Sequence, residues 1–291
     1  MLYLPHNRRK YHYVPPPATW ADFDLLHTVN PGKSASLVDG ESTLVPYHLQ
    51  PVGETQMFFA DYVGKRLYIW GFDEGSAFDL SHLASEYASR SDAISNAFFA
   101  EITSNGEKVL YSKPSYGDLY ERPLSTAFDL STVGTESTTF GSYMNCRVCL
   151  SADGLKFVTK AYNGNSPSLY TCSSAFGYSS HTYVSAYNFS NYESAVRNKS
   201  GISTGSFSWK DFQMSRDGDT MVASMTIGDS EVIARIDFST PWTLSSGTVA
   251  SAYVVPSGIT GVQAVMVDPF GAKMFLFSTG DNKLHEFTLS P

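Results

Sequence analysis

Short runs of apolar and aromatic residues alternate with polar stretches rich in Gly, Asn, Asp and Ser along almost the whole chain. Typical runs are 56–60 (QMFFA), 66–70 (RLYIW) and 274–277 (MFLF). Runs of β-branched and aromatic residues separated by turn residues are typical of antiparallel strands joined by hairpins. The chain has no long stretch with helical periodicity. The pattern therefore predicts an all-β protein.

Two landmarks recur in the same order along the chain. The first is a glycine turn before an apolar run, found at Gly64, Gly106, Gly154, Gly218 and Gly271. The second is a Leu-Ser-like pair, which begins between 16 (80 − 64) and 20 (238 − 218) residues after the glycine. A strand meander repeated every few tens of residues predicts a β-propeller. Five blades follow from direct counting, and six would follow if residues 31–50 contain a degenerate unit.

The two ends of the chain together supply one complete unit. The last unit stops at Leu289 and two further residues, so it lacks the outer strand that the middle units have. The missing strand is at the N-terminus, where Trp20, Phe23 and Leu25 lie in an apolar run. We therefore predict that this strand pairs into the C-terminal blade. Such pairing closes the ring and removes the exposed strand edges of an open array.

Residues 1–17 differ from the remainder, which we interpret as a single propeller domain covering 18–291. This N-terminal arm is basic and ends in three consecutive prolines, which favour an extended backbone. We interpret it as a docking arm, with these candidate binding residues: Arg8, Arg9, Lys10, Tyr11 and Tyr13. The alternative is a frayed terminus, since terminal segments are ordered only when other contacts hold them.

The longest interval between landmark glycines contains extra residues at about 185–205. Tyr, Ser, Asn and Gly dominate this segment, as they do in adaptable binding loops. We therefore predict an exposed loop in which Tyr187, Phe189 and Tyr192 contact a partner, with an ordinary long loop as the alternative. Residues 83–96 fit either a strand or a short helix.

Composition narrows the function classes. The net charge of −8 argues against nucleic-acid binding, which needs a basic face. No apolar run is long enough to span a membrane, and the first residues do not form a signal peptide. Three cysteines do not make a disulfide framework. We expect a chain that is synthesised in the cytoplasm, has no membrane span and needs no cofactor.

Two short motifs could carry chemistry, but their context argues against it. Cys146 and Cys149 form a C-x-x-C within a predicted strand, where side chains three positions apart point to opposite faces. Core cysteines are therefore expected rather than a metal site. Residues 201–205 match G-x-S-x-G, yet a strand pattern follows instead of the helix that a nucleophile elbow requires. The sequence predicts no catalytic and no metal-binding residues.

The repeat resembles a degenerate propeller repeat of tailed bacteriophages and phage-derived proteins. The best matches are 268–275 (DPFGAKMF) and 238–245 (FSTPWTLS). The family pattern has Asn-Pro-Asp-Gly before Lys-Met, so 268–271 departs from it. The resemblance covers 18–291, and it implies a virion structural or host-contact protein without supplying any catalytic residue.

Two functions are compatible with these patterns. The first is a non-enzymatic virion protein, a tail, fibre or head-decoration component that contacts other virion proteins in a symmetric multi-copy assembly, and a host glycan or receptor. The second is a carbohydrate-binding lectin or a propeller-type hydrolase acting on surface glycans. The second needs polar residues converging from the innermost strands. Because the runs assigned there are apolar, including Phe58, Phe99 and Val265, the sequence favours the first.

Overall fold

The structure is a computed structural model. It describes residues 24–39, 42–61, 63, 66–72, 78–91, 94, 97, 99–113, 118–140, 146–161 and 164–290. The described part is almost entirely β-structure, arranged as five four-stranded antiparallel sheets and one small hairpin. The prediction of a five-bladed β-propeller is confirmed.

Chain order and blade order coincide except at the N-terminus. Strand β1 (Asp24–Ala35) precedes a hairpin of β2 (Val38–Asp39) and β3 (Ser42–Thr43). Blade 1 contains, from the innermost strand outward, β4 (Pro46–Val52), β5 (Gln56–Asp61), β6 (Arg66–Phe72) and β7 (Leu83–Ser91). Blade 2 contains β8 (Phe99–Ile102), β9 (Lys108–Ser112), β10 (Leu119–Pro123) and β11 (Ser137–Phe140).

The remaining blades follow the same plan. Blade 3 contains β12 (Cys146–Leu150), β13 (Lys156–Ala161), β14 (Ser168–Cys172) and β15 (His181–Ala186). Blade 4 contains β16 (Phe207–Met214), β17 (Thr220–Ile227), β18 (Ser230–Phe238) and β19 (Gly247–Val254). Blade 5 contains β20 (Val262–Val267), β21 (Lys273–Ser278) and β22 (Lys283–Ser290), with β1 as its outer strand. Helix α1 (Glu193–Ser200) lies between blades 3 and 4.

The blades form a closed ring. Each innermost strand contacts the innermost strand of the next blade, and β20 contacts β4. The blades pack through their faces, so the central strands are buried on both sides and their sequences are continuously apolar instead of alternating. Phe72 of blade 1 and Phe275 of blade 5, for example, have ring centroids 6.2 Å apart.

The N-terminal strand closes the ring, as predicted. Strand β1 pairs antiparallel with β22, and the register places Asp24 opposite Ser290 and Ala35 opposite Leu284. Leu25 and Leu289 are buried in the same apolar cluster. The backbone N–H of Leu25 also donates a hydrogen bond of 3.2 Å to Ser251 of blade 4. Trp20 and Phe23 lie outside the described residues.

In blades 2, 3 and 4 the landmark glycine lies against an aromatic ring four residues beyond the start of the Leu-Ser-like pair (128 − 124, 176 − 172 and 242 − 238), so the two landmarks recur together. In blade 2, the N–H of Phe128 donates to the carbonyl of Gly106 at 2.9 Å. A Cβ on Gly106 would lie 2.2 Å from the Phe128 ring, and Gly106 has φ +73°. Any side chain there would be strained and would also clash. The same contact joins Gly218 to Trp242 in blade 4.

The first repeat was assigned wrongly from the sequence. In blade 2 the N–H of Leu124 donates to the carbonyl of Glu107, and in blade 1 the equivalent bond runs from Phe72 to Thr55. The repeated turn of blade 1 is therefore at 53–55, between β4 and β5. The turn at Gly64, a residue outside the described part, falls one strand later. The sequence of this β5–β6 turn, a glycine followed by an apolar run, resembles that of the repeated turn and was therefore mistaken for it.

Two ambiguous segments are now assigned. Residues 46–52, which begin inside the stretch 31–50 that could have contained a sixth unit, form the innermost strand of blade 1. Residues 83–91, which fitted strand or helix, form the outer strand of that blade after a short 3₁₀ turn at Leu80–His82.

Ring closure by β1 is testable by truncation. Deleting residues 1–35 removes β1 and exposes the edge of β22, so we expect aggregation or a fall in Tm of about 10 °C or more. Differential scanning calorimetry and light scattering measure both effects. A truncated protein that stays monomeric with an unchanged Tm would contradict the role of this strand.

A circular permutant is the matched control. It joins the C-terminus to residue 18 through a Gly-Ser linker and opens the chain at the exposed turn of Asp229, between β17 and β18. Because the closing strand is retained, its Tm should stay close to that of the parent chain.

Candidate functional site at the propeller axis

Polar side chains from four innermost strands converge at the centre of the ring. They alternate along their strands, which turns them to the same side. All of them are buried: His48 and Gln50 on β4, Glu101 on β8, Arg147 on β12, and Asp211 and Gln213 on β16. We call these six residues the axial cluster. A polar cluster this deep is stable only when its groups satisfy one another.

Asp211 is the hub of the axial cluster. One carboxylate oxygen lies 3.3 Å from Nδ1 of His48 in blade 1 and 3.2 Å from the Arg147 guanidinium in blade 3. The other oxygen accepts a 2.9 Å hydrogen bond from the backbone N–H of Val265 in blade 5. A single side chain of blade 4 thus contacts three other blades.

Side chains replace the sheet hydrogen bonds that are absent between neighbouring blades. Gln50 pairs with the backbone of Ile102 through two hydrogen bonds of 2.8 Å, one donated and one accepted. Glu101 accepts from the N–H of Leu150 at 3.2 Å, and Gln213 accepts from the N–H of Val267 at 2.7 Å. These bonds fix the relative positions of the innermost strands.

Arg216 caps the cluster where the innermost strands end. Its guanidinium donates to the carbonyls of Leu150 and Ile102, both at 3.4 Å, and lies 3.7 Å from the Glu101 carboxylate. Burial raises the pKa of Glu101, whereas the nearby Arg216 lowers it. The cap therefore supplies the positive charge that favours an ionised Glu101.

Lys160 adds a second cation to the cluster. It lies directly opposite Arg147 in the β12–β13 pairing, and it is only 1% exposed. Burial and, to a smaller extent, the charge of Arg147 lower the pKa of Lys160 to about 7, although the carboxylate of Asp211 acts in the opposite direction. The ammonium group thus titrates near neutral pH instead of staying charged.

The geometry of the axial cluster is better suited to holding the blades together than to acid–base catalysis on a substrate. A general acid or base must reach a reacting group directly or through one water. Both Asp211 oxygens are instead engaged with other blades, and its carboxylate is fully buried. Among the described residues, no group of three His, Cys, Asp or Glu could hold a metal ion.

The structure places the sequence-predicted contact residues differently. Phe189 and Tyr192 are buried in the core of blade 4, and Tyr187 packs against that core. The Tyr192 hydroxyl donates to the carbonyl of Leu244. The predicted exposed loop is wrong, because a 3₁₀ turn (Phe189–Tyr192) and α1 fold these aromatics against the blade. Arg8, Arg9, Lys10, Tyr11 and Tyr13 of the predicted arm lie outside the described residues.

Cys149 behaves as the predicted core cysteine. It is buried, and its thiol lies 3.7 Å from the backbone carbonyl of Phe212. Burial raises the pKa of the thiol well above its usual value, which keeps it protonated. The side chain of Cys146 lies outside the described part.

The sequence reasoning missed His48 and Gln50 because it assigned the innermost strand of blade 1 one strand too late. Phe58 belongs to β5, whereas β4 carries His48 and Gln50. A usable signal was present: polar residues two apart interrupt apolar runs at both His48/Gln50 and Asp211/Gln213. The expectation of apolar innermost strands is therefore wrong for Phe58, which lies on β5, whereas Phe99 and Val265 do lie on innermost strands.

Comparisons with known proteins show distant structural similarity only. No family model matches the chain, and no curated protein matches it in sequence. The periplasmic gluconolactonase of Pseudomonas aeruginosa matches with a TM-score of 0.46 and 9% identity, over 84% of this chain and 68% of that one. The Swd1 β-propeller domain of Myceliophteria thermophila matches with a TM-score of 0.46 and 11% identity, over 94% and 96%.

A further match is a proposed 6-phosphogluconolactonase from Bacteroides fragilis, with a TM-score of 0.43 and 12% identity over 84% of this chain. This chain spans just under two thirds of the length of that protein, 65%. At these identities a neighbour's activity does not transfer to this chain.

The lowered pKa of Lys160 predicts how the stability of the protein depends on pH. Below pH 7 the folded protein carries the buried charge, whereas between pH 7 and 10.5 the ammonium is charged only in the unfolded chain. The unfolding free energy of the parent protein should therefore rise with pH across this window. Lys160→Met removes the buried charge and should stabilise the protein at pH 6.5 by about 1–3 kcal/mol. Urea denaturation in a low-salt buffer measures this difference.

The stability gained by Lys160→Met should shrink as the pH rises above 7, because Lys160 of the folded parent protein is then neutral as well. Lys199→Met, at an exposed position on α1, is the control and should change stability little at any pH. A gain that does not vary with pH, or a loss at pH 6.5, would show that Lys160 is not the titrating group.

Proposed function

We propose that the protein is a non-enzymatic structural component of a bacteriophage virion, in the tail, the fibre or the head decoration. In this proposal the propeller is a rigid body that serves particle assembly or host-surface contact. The N-terminal arm, with its basic cluster, joins it to other virion proteins. Several copies act together in a symmetric assembly.

The observation that carries the proposal is the occupied axis. Propeller enzymes and lectins that bind at the centre of the ring need side chains free to meet a ligand. Here Arg147 and Asp211 are fully buried, and the carboxylate of Asp211 contacts three other blades. A centre committed to internal bonds favours a scaffold whose partners bind at its periphery.

The outer strand of blade 3 is the best candidate for contact with a partner. In β15, Tyr183 and Val184 are 56% and 49% exposed, and the strand contains no Asp, Glu, Lys or Arg. The corresponding strand of blade 4 is covered by α1. Exposed aromatic and β-branched residues on an uncharged strand are common in contact surfaces.

A carbohydrate-binding lectin is the second candidate, and Tyr183 is the residue that favours it. Its ring is half exposed and is held edge-on against Tyr170, with centroids 5.7 Å apart. A fixed, exposed aromatic ring offers an apolar face and a polar hydroxyl to a sugar. Contact with a host glycan through this ring is consistent with both candidates.

Localisation tests the proposal directly. Immunogold labelling and mass spectrometry of purified particles from the encoding phage should find the protein in the virion. A protein found only in the lysate, and not in purified particles, would refute a virion role.

Substitution of Tyr183 tests the contact surface. Tyr183→Ala should lower binding of the purified protein to host cells about tenfold or more, because an anchoring aromatic typically contributes over 1 kcal/mol. Phe270→Ala, at another exposed apolar position, is the control and should keep the parent affinity. Equal losses in both variants would mean that β15 is not the specific contact surface.

A further inference from the structure

The outer strands of the five blades differ in how their free edges are protected. A free edge exposes unpaired backbone N–H and C=O groups, and proteins usually protect it with charged residues, a short strand, a bulge or a covering segment. All five outer strands have an irregularity in their pairing with the next strand of the blade. The irregularity therefore does not distinguish one blade from another, and the other protections decide which edge stays open.

Four of the five outer strands have a further protection. Strand β1 carries Lys33, and β7 carries Arg90. Strand β11 has only four residues, and β19 is covered by α1. Strand β15 has six residues, with no Asp, Glu, Lys, Arg or Pro. Within the described part of the chain its outer edge pairs with no further strand, and Thr182, Tyr183 and Val184 are all exposed.

We propose that β15 pairs antiparallel with β15 of a second copy of this chain, which joins two propellers through one continuous eight-stranded sheet. Two identical edges related by a two-fold axis form a closed, isologous contact. Each edge supplies the backbone donors and acceptors that the other edge leaves unpaired. The inference rests on the proposed function, because it names a contact between the copies of the symmetric assembly.

Charge favours this strand as the place where two copies meet. The chain has a net charge of −8, so two copies repel each other overall. A contact between identical surfaces also brings every charge that it contains close to its own copy, and like charges opposite each other destabilise a strand pair. Since β15 contains no Asp, Glu, Lys or Arg, two such edges approach without this repulsion.

The pairing leaves the exposed aromatic ring of β15 available. In an antiparallel pair on a two-fold axis, equal residues of the two copies lie on the same face of the sheet and at equal distances from the axis. Tyr183, near the middle of β15, then lies close to its counterpart in the second copy. Two exposed rings on one face offer a host glycan a larger contact surface than one copy does.

Sedimentation equilibrium of the full chain tests the pairing. A six-residue edge is small compared with a standard interface of about 1,600 Å², so we expect a dimer with a Kd in the micromolar range. Val184→Lys places a like charge on both edges and should raise the Kd about tenfold or more. Val254→Lys adds the same charge at an exposed position on β19 and should keep the parent Kd.

Both positions are exposed, so both variants should remain folded, which their Tm values check. A parent chain that stays monomeric at millimolar concentration would overturn the proposal. Equal changes of the Kd in the two variants would also overturn it.

Hydrogen–deuterium exchange locates the contact. On going from dilute to concentrated samples, the amides of 181–186 should gain protection, whereas those of 137–140 in β11 should not change. Protection confined to another part of the chain, or protection of β15 only after another virion protein is added, would contradict pairing with a second copy. A monomeric protein found in purified virions would refute the pairing alone, whereas a β15 dimer absent from virions would refute the virion role alone.

Discussion

The carboxylate of Asp211 is where four of the five blades meet. It projects from blade 4 and contacts His48 of blade 1, Arg147 of blade 3 and the backbone of blade 5. The sheets of a propeller are separate, so no backbone ladder holds one blade to the next at the axis. Apolar faces supply most of the attraction, but they are not directional. The buried polar groups fix the relative orientation of the blades, because a buried polar group that loses its hydrogen-bond partner destabilises the folded state.

The fold was predictable where local geometry restricts the residue type. Gly106 must be glycine because the ring of Phe128 lies over a backbone with positive φ, so the glycine and the aromatic residue recur together, 22 (128 − 106) to 24 (242 − 218) residues apart. Strand β4 was not predictable, because Pro46 and Pro51 argue against a strand inside a sheet. Its inner edge faces the axis and pairs with no further strand of its sheet, so the missing N–H groups are tolerated. His48 and Gln50 were hidden with it.

The prediction for the insertion between blades 3 and 4 was wrong for a different reason. Tyr, Ser and Asn suggested an exposed loop, but composition does not reveal which side of a short segment is covered. Helix α1 has only eight residues, too few for a clear periodic pattern, and its main role is to pack Tyr192 and Val196 onto the blade. The structure thus has a centre whose buried polar groups join the blades, and an outer strand, β15, whose Tyr183 and Val184 are exposed.

Denaturant unfolding of Asp211→Asn tests the central claim most directly, with Asp211→Asn/Arg147→Met as its partner variant. If the Asp211 charge holds the blades together, the single substitution should lower the unfolding free energy by about 3–5 kcal/mol, and the second should restore part of it. Asp237→Asn, in the more exposed pair with Arg235, should cost about 1 kcal/mol or less. A cost for Asp211→Asn no larger than that, or strictly additive effects of the two axial substitutions, would contradict the account.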